Sequence, residues 1–332
     1  MDESGTTAFP TAVIVMGKEE AGAVLDEELR TRLVESVTVT DGWDALGEAD
    51  VLITGWGCPA LTERTLAGAP RLRAIVHAGG SVKWLVPEDA WDRGIVVSSA
   101  ADANAGPVAD YAYACVVLAS KQALVTAAAY AARGGDGGWP RFCERQGADG
   151  RTVGVIGASR IGHRVLARLS AADAGYRVLL YDPYVSVDEA HRMGAEKADL
   201  ETLCGNSSVV TLHAPDLPAT RHMLDAHRLA LVPDGGTIIN TARGALVDTE
   251  ALTAECRSGR LSAVLDVTEP EPLQRGHPLF SLPNVLVTPH IAGAQGTEVR
   301  RLGLYAVQEV ERWVRGLPLL GRVERRDLRT SA

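Results

Sequence analysis

Short runs of Val, Ile and Leu recur along the chain, each followed by a Gly-containing or polar turn and then by a longer stretch in which apolar residues return every three or four positions. Runs of that length suit strands buried on both faces, and the spacing after them suits helices packed by one side. Regular alternation of the two is the pattern of a parallel sheet covered by helices. In the first hundred residues the expected strands are TAVIVMG (11–17), ADVLITGWG (49–57), LRAIVHAGG (72–80) and GIVVSSA (94–100). An Ala-rich segment follows, from Pro107 to Gly134 and Gly135, and its composition predicts one helix of about seven turns opened by the proline and closed by the glycines.

A second series begins at TVGVIG (152–157) and continues through RVLLYDP (177–183), SVVTLHAP (208–215), GTIINTA (236–242), SAVLDVT (262–268) and NVLVTPH (284–290). Six such strands are what a dinucleotide-binding sheet requires. The last amphipathic stretch, TEVRRLGLYAVQEVERWVRG, is expected to be a helix that returns to the first domain. The expected class is therefore α/β: two Rossmann-like or flavodoxin-like domains with doubly wound parallel sheets. The cofactor domain is inserted in a discontinuous substrate domain, with a cleft between them. The expected boundaries are 1–104 plus 294–332 for the substrate-binding domain and 105–293 for the NAD-binding domain.

Composition narrows the field. A chain of 332 residues, 46% hydrophobic, suits two domains of ordinary size. A formal charge of −9 without any basic run gives no footprint for nucleic acid or for an anionic membrane surface. The polar, acidic start MDESGTTAFP has no apolar core of a signal sequence, and no later apolar run reaches membrane-spanning length, so a cytoplasmic location is expected. Cys58, Cys115, Cys143, Cys204 and Cys256 are scattered without paired spacing, which fits a reducing compartment and suggests no metal centre.

The segment TVGVIGASRIGHRVLARL places strand, tight turn and helix in the order that a pyrophosphate site needs. Gly157 ends the strand, Gly162 stands where helix and strand approach closely, and the helix start offers unpaired N–H groups to phosphate. Position 159 holds Ser, where such turns usually have a second Gly, and its hydroxyl is an alternative donor to a phosphate oxygen. Asp182 closes the next strand, 25 residues after Gly157. A carboxylate there accepts the adenosine ribose hydroxyls and repels a 2′-phosphate, favouring NAD over NADP; its plainer reading is a turn begun with Pro183.

Three further segments, NTARGALVD (240–248), LDVTEPEP (265–272) and TPHIAG (288–293), end strands on the sheet edge where α/β proteins bind ligands. Together with LHAPDLPATRHML (212–224) they resemble the motifs of the D-isomer-specific 2-hydroxyacid dehydrogenases, a likeness that covers essentially the whole chain and is strongest over 152–293. The resemblance implies an NAD-dependent enzyme that interconverts a 2-keto acid and a D-2-hydroxy acid. Its substrate-binding arginine falls on Arg243, its catalytic histidine on His290, and the acid paired with that histidine on Glu271. Glu269 is the rival acid, set aside because the family's acid lies five positions after its strand-end aspartate, here Asp266. The cofactor contacts it implies are Gly157, Ser159, Arg160, Ile161, Gly162, Asp182, His213, Ala214, Pro215, Thr220, Thr241, Ala242, Arg243, Asp266, His290 and Gly293. It places substrate on Gly80, Ser81, Arg243 and His290.

The chemistry independently asks for these residue types. Hydride arriving at a keto carbon leaves negative charge on oxygen, which an imidazolium neutralises by proton transfer. A carboxylate on the other ring nitrogen fixes the tautomer and raises the basicity, and a guanidinium binds the substrate carboxylate through two parallel donors. Singly, each residue has an ordinary explanation: a packed histidine after proline, such as His290 or His77, an exposed loop acid, a charge at a helix entry. All three in order beside a nucleotide signature favour the catalytic reading.

Departures from the family pattern carry their own expectations. HAGGSVKW supplies the amides of Gly80 and Ser81, and Lys83 suggests a preference for an additional anionic group on the substrate, against the plainer reading of a solvated lysine. Asp110 stands where the family usually has Glu, in a segment resembling the helix packed between subunits, so a homodimer is expected. Trp56, Cys58 and Trp84 are apolar candidates for the substrate cleft or for the core. The competing readings are an NAD-binding sensor or corepressor without turnover, and a dehydrogenase of phosphite or formate; Glu271 disfavours formate, whose enzymes typically have Gln there.

Overall fold

The computed structural model describes residues 9–134 and 146–329. Gly135, Cys143 and the first eight residues lie outside the described residues. Among the described residues, contacts divide the chain into two units, residues 9–105 with 294–329 and residues 106–134 with 146–293.

The first unit is built on β1 (Thr11–Val15), β2 (Thr38–Asp41), β3 (Val51–Thr54), β4 (Ala74–His77) and β5 (Val96–Ser99). They form one sheet in the order β2-β1-β3-β4-β5, parallel throughout. Helices α1 (Lys18–Val24), α2 (Glu27–Val34), α3 (Glu63–Ala67) and α4 (Asp89–Asp92) connect them. Successive strand residues point to opposite faces, so each face gathers its own core. Ile14 and Ile53 join Leu25, Leu29 and Leu33 on one side, while Val13, Val15 and Leu52 join Leu66, Leu72 and Ile75 on the other. Burying one such side chain contributes roughly 1.5–3 kcal/mol, which is why the strands read as unbroken apolar runs.

The chain enters the second unit within α5 (Ala101–Ser120), which is followed by α6 (Ala123–Ala132). The Ala-rich segment is thus two helices, bent by 58°, rather than the single one expected. The helix also opens six residues before Pro107. Proline removes one backbone bond inside the helix, and the burial of Ala105, Val108, Ala109 and Ala112 offsets the loss. At the break, Ser120 bonds back to the Val116 carbonyl at 2.8 Å and Gln122 takes a left-handed φ of 49°. Both disrupt helix continuation.

The second sheet runs β12-β11-β10-β9-β6-β7-β8, again parallel. Its strands are β6 (Thr152–Ile156), β7 (Arg177–Tyr181), β8 (Glu196–Lys197), β9 (Val209–Leu212), β10 (Thr237–Asn240), β11 (Ser262–Leu265) and β12 (Val285–Val287). The helices are α7 (Arg160–Ser170), α8 (Val187–Arg192), α9 (Leu200–Asn206), α10 (Ala226–Leu231) and α11 (Thr249–Arg257). Strand order reverses between β6 and β9, and ligands of open α/β sheets bind at such a switch point. Two short strands escaped the sequence pattern: β2 (TVTD) and β8 (EK) lie at sheet edges, where polar and charged side chains replace apolar runs.

Helix α12 (Arg300–Val314) belongs to the first unit and packs on α1, α2 and β4. The residues after it lie along β5. Ser99 donates its amide to the Gly321 carbonyl at 3.0 Å, Val323 donates to Val97 at 2.8 Å, and the Ser98–Arg322 bridge is antiparallel. Buried Glu309 clamps this tail, accepting from the Ser98 hydroxyl and from the amides of Leu320 (2.9 Å) and Gly321 (3.0 Å). Cys58, Cys115, Cys204 and Cys256 are buried thiols.

Candidate active site

At the reversal point of the second sheet, Gly157 follows β6 with φ 96°, and a Cβ there would stand 2.8 Å from the Ala214 nitrogen. Only glycine accommodates both that dihedral and that contact. Ser159 caps α7, its oxygen accepting from the Gly162 amide at 3.3 Å, which leaves its own proton available to donate. Arg160 and Ile161 form the start of the helix, whose first N–H groups point out of its N-terminus. Asp182 takes the Ala158 amide on Oδ2 and the Tyr184 amide on Oδ1, both at 2.8 Å. A carboxylate has about four acceptor positions, so the turn leaves capacity for ribose hydroxyls.

Across the switch point, His213 is buried, with Nε2 against the Thr211 hydroxyl at 3.0 Å and Nδ1 without a partner. Burial pushes its pKa down to about 3, so the ring is neutral. Thr241 Oγ1 is likewise buried and unpartnered. Buried polar atoms are rarely left unpaired. Two such atoms beside a glycine cradle and a capped helix start fit a bound dinucleotide. Ala214 is buried and Pro215 partly so, whereas the Thr220 hydroxyl is used within the turn, donating to Pro215 at 2.6 Å and accepting from Leu217 at 2.9 Å.

His290 follows β12 in a left-handed conformation, φ 56°. Its Nδ1 lies 2.7 Å from Glu271 Oε1, and both side chains are well exposed. Glu269, the rival acid, is instead held by Arg221 and by His222 Nε2. The hydrogen bond from His222, then those from Arg221, lower its pKa. Arg243 is partly buried; burial lowers its pKa, and the opposing influence of Glu271 and then Asp216 places both carboxylates within electrostatic reach of the guanidinium. Nη1 donates to the Ala242 carbonyl at 2.6 Å, fixing the group. Asp266 is buried behind the His290 turn, and Gly293 ends the unit.

In the first unit, Gly80 and Ser81 follow β4 and are partly buried, and the Lys83 amide donates to Ser81 Oγ at 3.3 Å. A Cβ on Gly79 would stand 2.4 Å from His77 Nε2, so this loop lies directly on that buried ring. Cys58 is in the core, Trp56 packs partly against the other core of the same sheet, and Trp84 is 54% exposed, its ring edge-on to His77. Asp110 pairs with Arg168 at 2.7 Å. The sequence pattern did not single out Thr211, Asp216, Thr288 or Tyr111. Thr288 lies inside TPHIAG, but nothing in the sequence marks Tyr111.

A parallel sheet with this strand order, a glycine turn and an acid after the second strand define a dinucleotide-binding protein. Residues 117–292 match the NAD-binding domain of the D-isomer-specific 2-hydroxyacid dehydrogenases, and the chain belongs to that family. It is 32% identical over 302 residues to D-3-phosphoglycerate dehydrogenase of Methanocaldococcus jannaschii, covering 90% of this chain and 56% of that protein. The chain spans about half the length of the phosphoglycerate dehydrogenases it matches. (S)-Sulfolactate dehydrogenase of Chromohalobacter salexigens is 32% identical, covering 90% of this chain and 97% of that protein. Among solved structures, the TT0316 protein of Thermus thermophilus superposes with a TM-score of 0.76 at 31% identity, covering 95% of this chain and 100% of that one.

Proposed function

We propose that the protein transfers hydride between NAD(H) and a 2-keto acid/D-2-hydroxy acid pair. The observation that carries this reading is the 2.7 Å contact of His290 Nδ1 with Glu271, beside a partly buried arginine. Glu271 holds one ring nitrogen and so leaves Nε2 as the proton-transfer atom. In reduction, His290 Nε2 gives its proton to the carbonyl oxygen; in oxidation it takes the hydroxyl proton back. Arg243, anchored through Nη1, presents its remaining donors to the substrate carboxylate and holds the carbonyl in one orientation.

When bound, the nicotinamide cofactor supplies or accepts the hydride. The residues that would hold it are Gly157, Ser159, Arg160, Ile161 and Gly162 at the phosphates, Asp182 at the ribose, and His213, Thr241 and Ala242 near the nicotinamide half. We further propose a cytoplasmic homodimer. The support for the homodimer is α6, an apolar helix that buries none of its residues.

The test uses purified protein, NADH and a panel of glyoxylate, hydroxypyruvate, phenylpyruvate and oxaloacetate, followed by absorbance. At least one acid is turned over, and His290→Ala lowers kcat by about 100-fold or more. NADH binding without turnover of any 2-keto acid, or a His290→Ala variant as fast as wild type, overturns the reading.

A further inference from the structure

The turn that carries His290 is held from beneath by one carboxylate. Asp266, at the end of β11, is 1% exposed. Its Oδ1 accepts from the Thr288 hydroxyl at 2.6 Å and the Ile291 amide at 2.8 Å, and its Oδ2 accepts from the Ala292 amide at 2.8 Å. The His290 amide donates to the Asp266 carbonyl at 2.9 Å. The carboxylate's donors thus flank His290 on both sides. A non-glycine residue in the left-handed region persists only where its surroundings over-determine it. Here the surroundings are this ring of bonds.

The network extends further. Thr288 spends its single hydroxyl proton on Asp266, so its oxygen is the acceptor in the 3.0 Å contact with the Tyr111 hydroxyl. Tyr111 comes from α5, 177 positions away in the chain. The result is a directed chain from Tyr111 to Thr288 to Asp266, whose carboxylate also takes the Ile291 and Ala292 amides just after His290. Neither hydroxyl has a role in the proton transfer, and both residues are partly buried.

We propose that Thr288 and Tyr111 are positioning residues that act through Asp266 to keep the His290 ring in register with Glu271. The proposal rests on the role assigned above to His290. The charged group in contact with the ring is Glu271, from the loop after β11; Arg243, from the loop after β10, bears on Glu271, and Asp266 holds the backbone of the turn. Removing the Thr288 hydroxyl leaves Oδ1 with one donor and loosens one side of the turn. The imidazole then spends less time on Glu271, and fewer molecules stand in the reactive geometry.

Thr288→Val, Thr288→Ser and Tyr111→Phe test this in the full-length protein. The Nδ1 nitrogen shift of the His290 ring, which reports its hydrogen bond to Glu271, is read by NMR at one fixed pH, with His290→Gln assigning the signal and Glu271→Ala giving the value for the broken contact, alongside kcat, KM, NADH affinity and Tm. In Thr288→Val that signal moves toward the broken-contact value and kcat falls by roughly tenfold, with NADH affinity changed less than about twofold. Tyr111→Phe moves both in the same direction by less, and Thr288→Ser restores them. An unmoved Nδ1 signal in Thr288→Val, whether Tm falls or not, overturns the proposal, as does a loss confined to NADH affinity. Should Thr288→Val not fold, Tyr111→Phe decides by the same readings. If wild type lacks turnover, the catalytic assignment fails, while the Nδ1 signal still reports whether the hydroxyl chain holds the ring on Glu271.

Discussion

Gly162 packs so closely on Gly157 that a Cβ at position 162 would stand 2.0 Å from the Gly157 carbonyl oxygen. The obstacle is backbone, not the end of a flexible side chain, so the first turn of α7 must move to admit a methyl group. Gly162→Ala is expected to cost about 1–3 kcal/mol of stability. It also pulls the amides of Arg160 and Ile161 out of alignment, weakening NADH binding by about tenfold or more on the same scale. Thermal unfolding with and without NADH, and fluorescence titration of NADH, check both effects. Wild-type affinity in the variant would detach the α7 start from the cofactor.

In the reading proposed above, cofactor choice falls to Asp182. Its carboxylate already fixes the turn through Ala158 and Tyr184, so Asp182→Asn keeps part of the hydrogen bonding while removing the negative charge. The ratio of kcat/KM for NADPH over NADH should rise by about tenfold or more, because a 2′-phosphate no longer meets an anion. A ratio unchanged from wild type assigns Asp182 to the turn alone.

Two buried histidines tie stability to pH. Burial holds His77 at about 4 and His213 at about 3, below the ordinary 6.5. The unfolded chain therefore binds protons that the folded chain refuses, and stability rises with pH across the interval. The contribution is fully present above about 6.5 and is lost as pH falls toward 4 for His77 and 3 for His213. At the acid end His77 would withdraw on the order of 3 kcal/mol and His213 on the order of 5 kcal/mol. Urea denaturation at pH 7 and at pH 5 should show a lower midpoint at pH 5, and His213→Gln or His77→Gln should flatten the difference.

Helix α6 carries Leu124, Val125 and Tyr130 with none of its residues buried. Leu124 packs partly on the core, whereas Val125 and Tyr130 are exposed among the described residues; such a surface favours association, and a two-fold pairing buries it on both copies. Val125→Glu with Tyr130→Glu is expected to convert a dimer to a monomer in sedimentation velocity while leaving the far-ultraviolet spectrum intact. A monomeric wild type would sink the homodimer reading.

Much of this was legible in the chain because its central strands are buried on both faces. Val153, Val155, Val209, Val210, Ile238 and Ile239 have little choice but to be written as apolar runs. The edge strands TVTD and EK face water and carry no such constraint, so no periodicity betrays them. The break at Gln122 was hidden for a different reason: alanine-rich sequence favours helix on either side, and one left-handed residue decides the bend. At the site, the order of the motifs led to His290 and Glu271, and spacing from Asp266 set Glu269 aside; the structure brings His290 within 2.7 Å of Glu271 and ties Glu269 to Arg221 and His222. The support under His290 was not readable, because Tyr111 meets Thr288 only after α5 has packed against the larger sheet.

The strip of chain that follows α12 also governs how this protein meets its neighbours. By lying antiparallel on β5, it satisfies backbone groups that an open sheet margin would otherwise offer to any extended polypeptide. The opposite margin, β2, is short and bears Thr and Asp, which discourages pairing by another route. The smaller sheet is thereby insulated against ribbon-like growth at high concentration, a protection that would weaken if Glu309 lost its hold on Leu320 and Gly321.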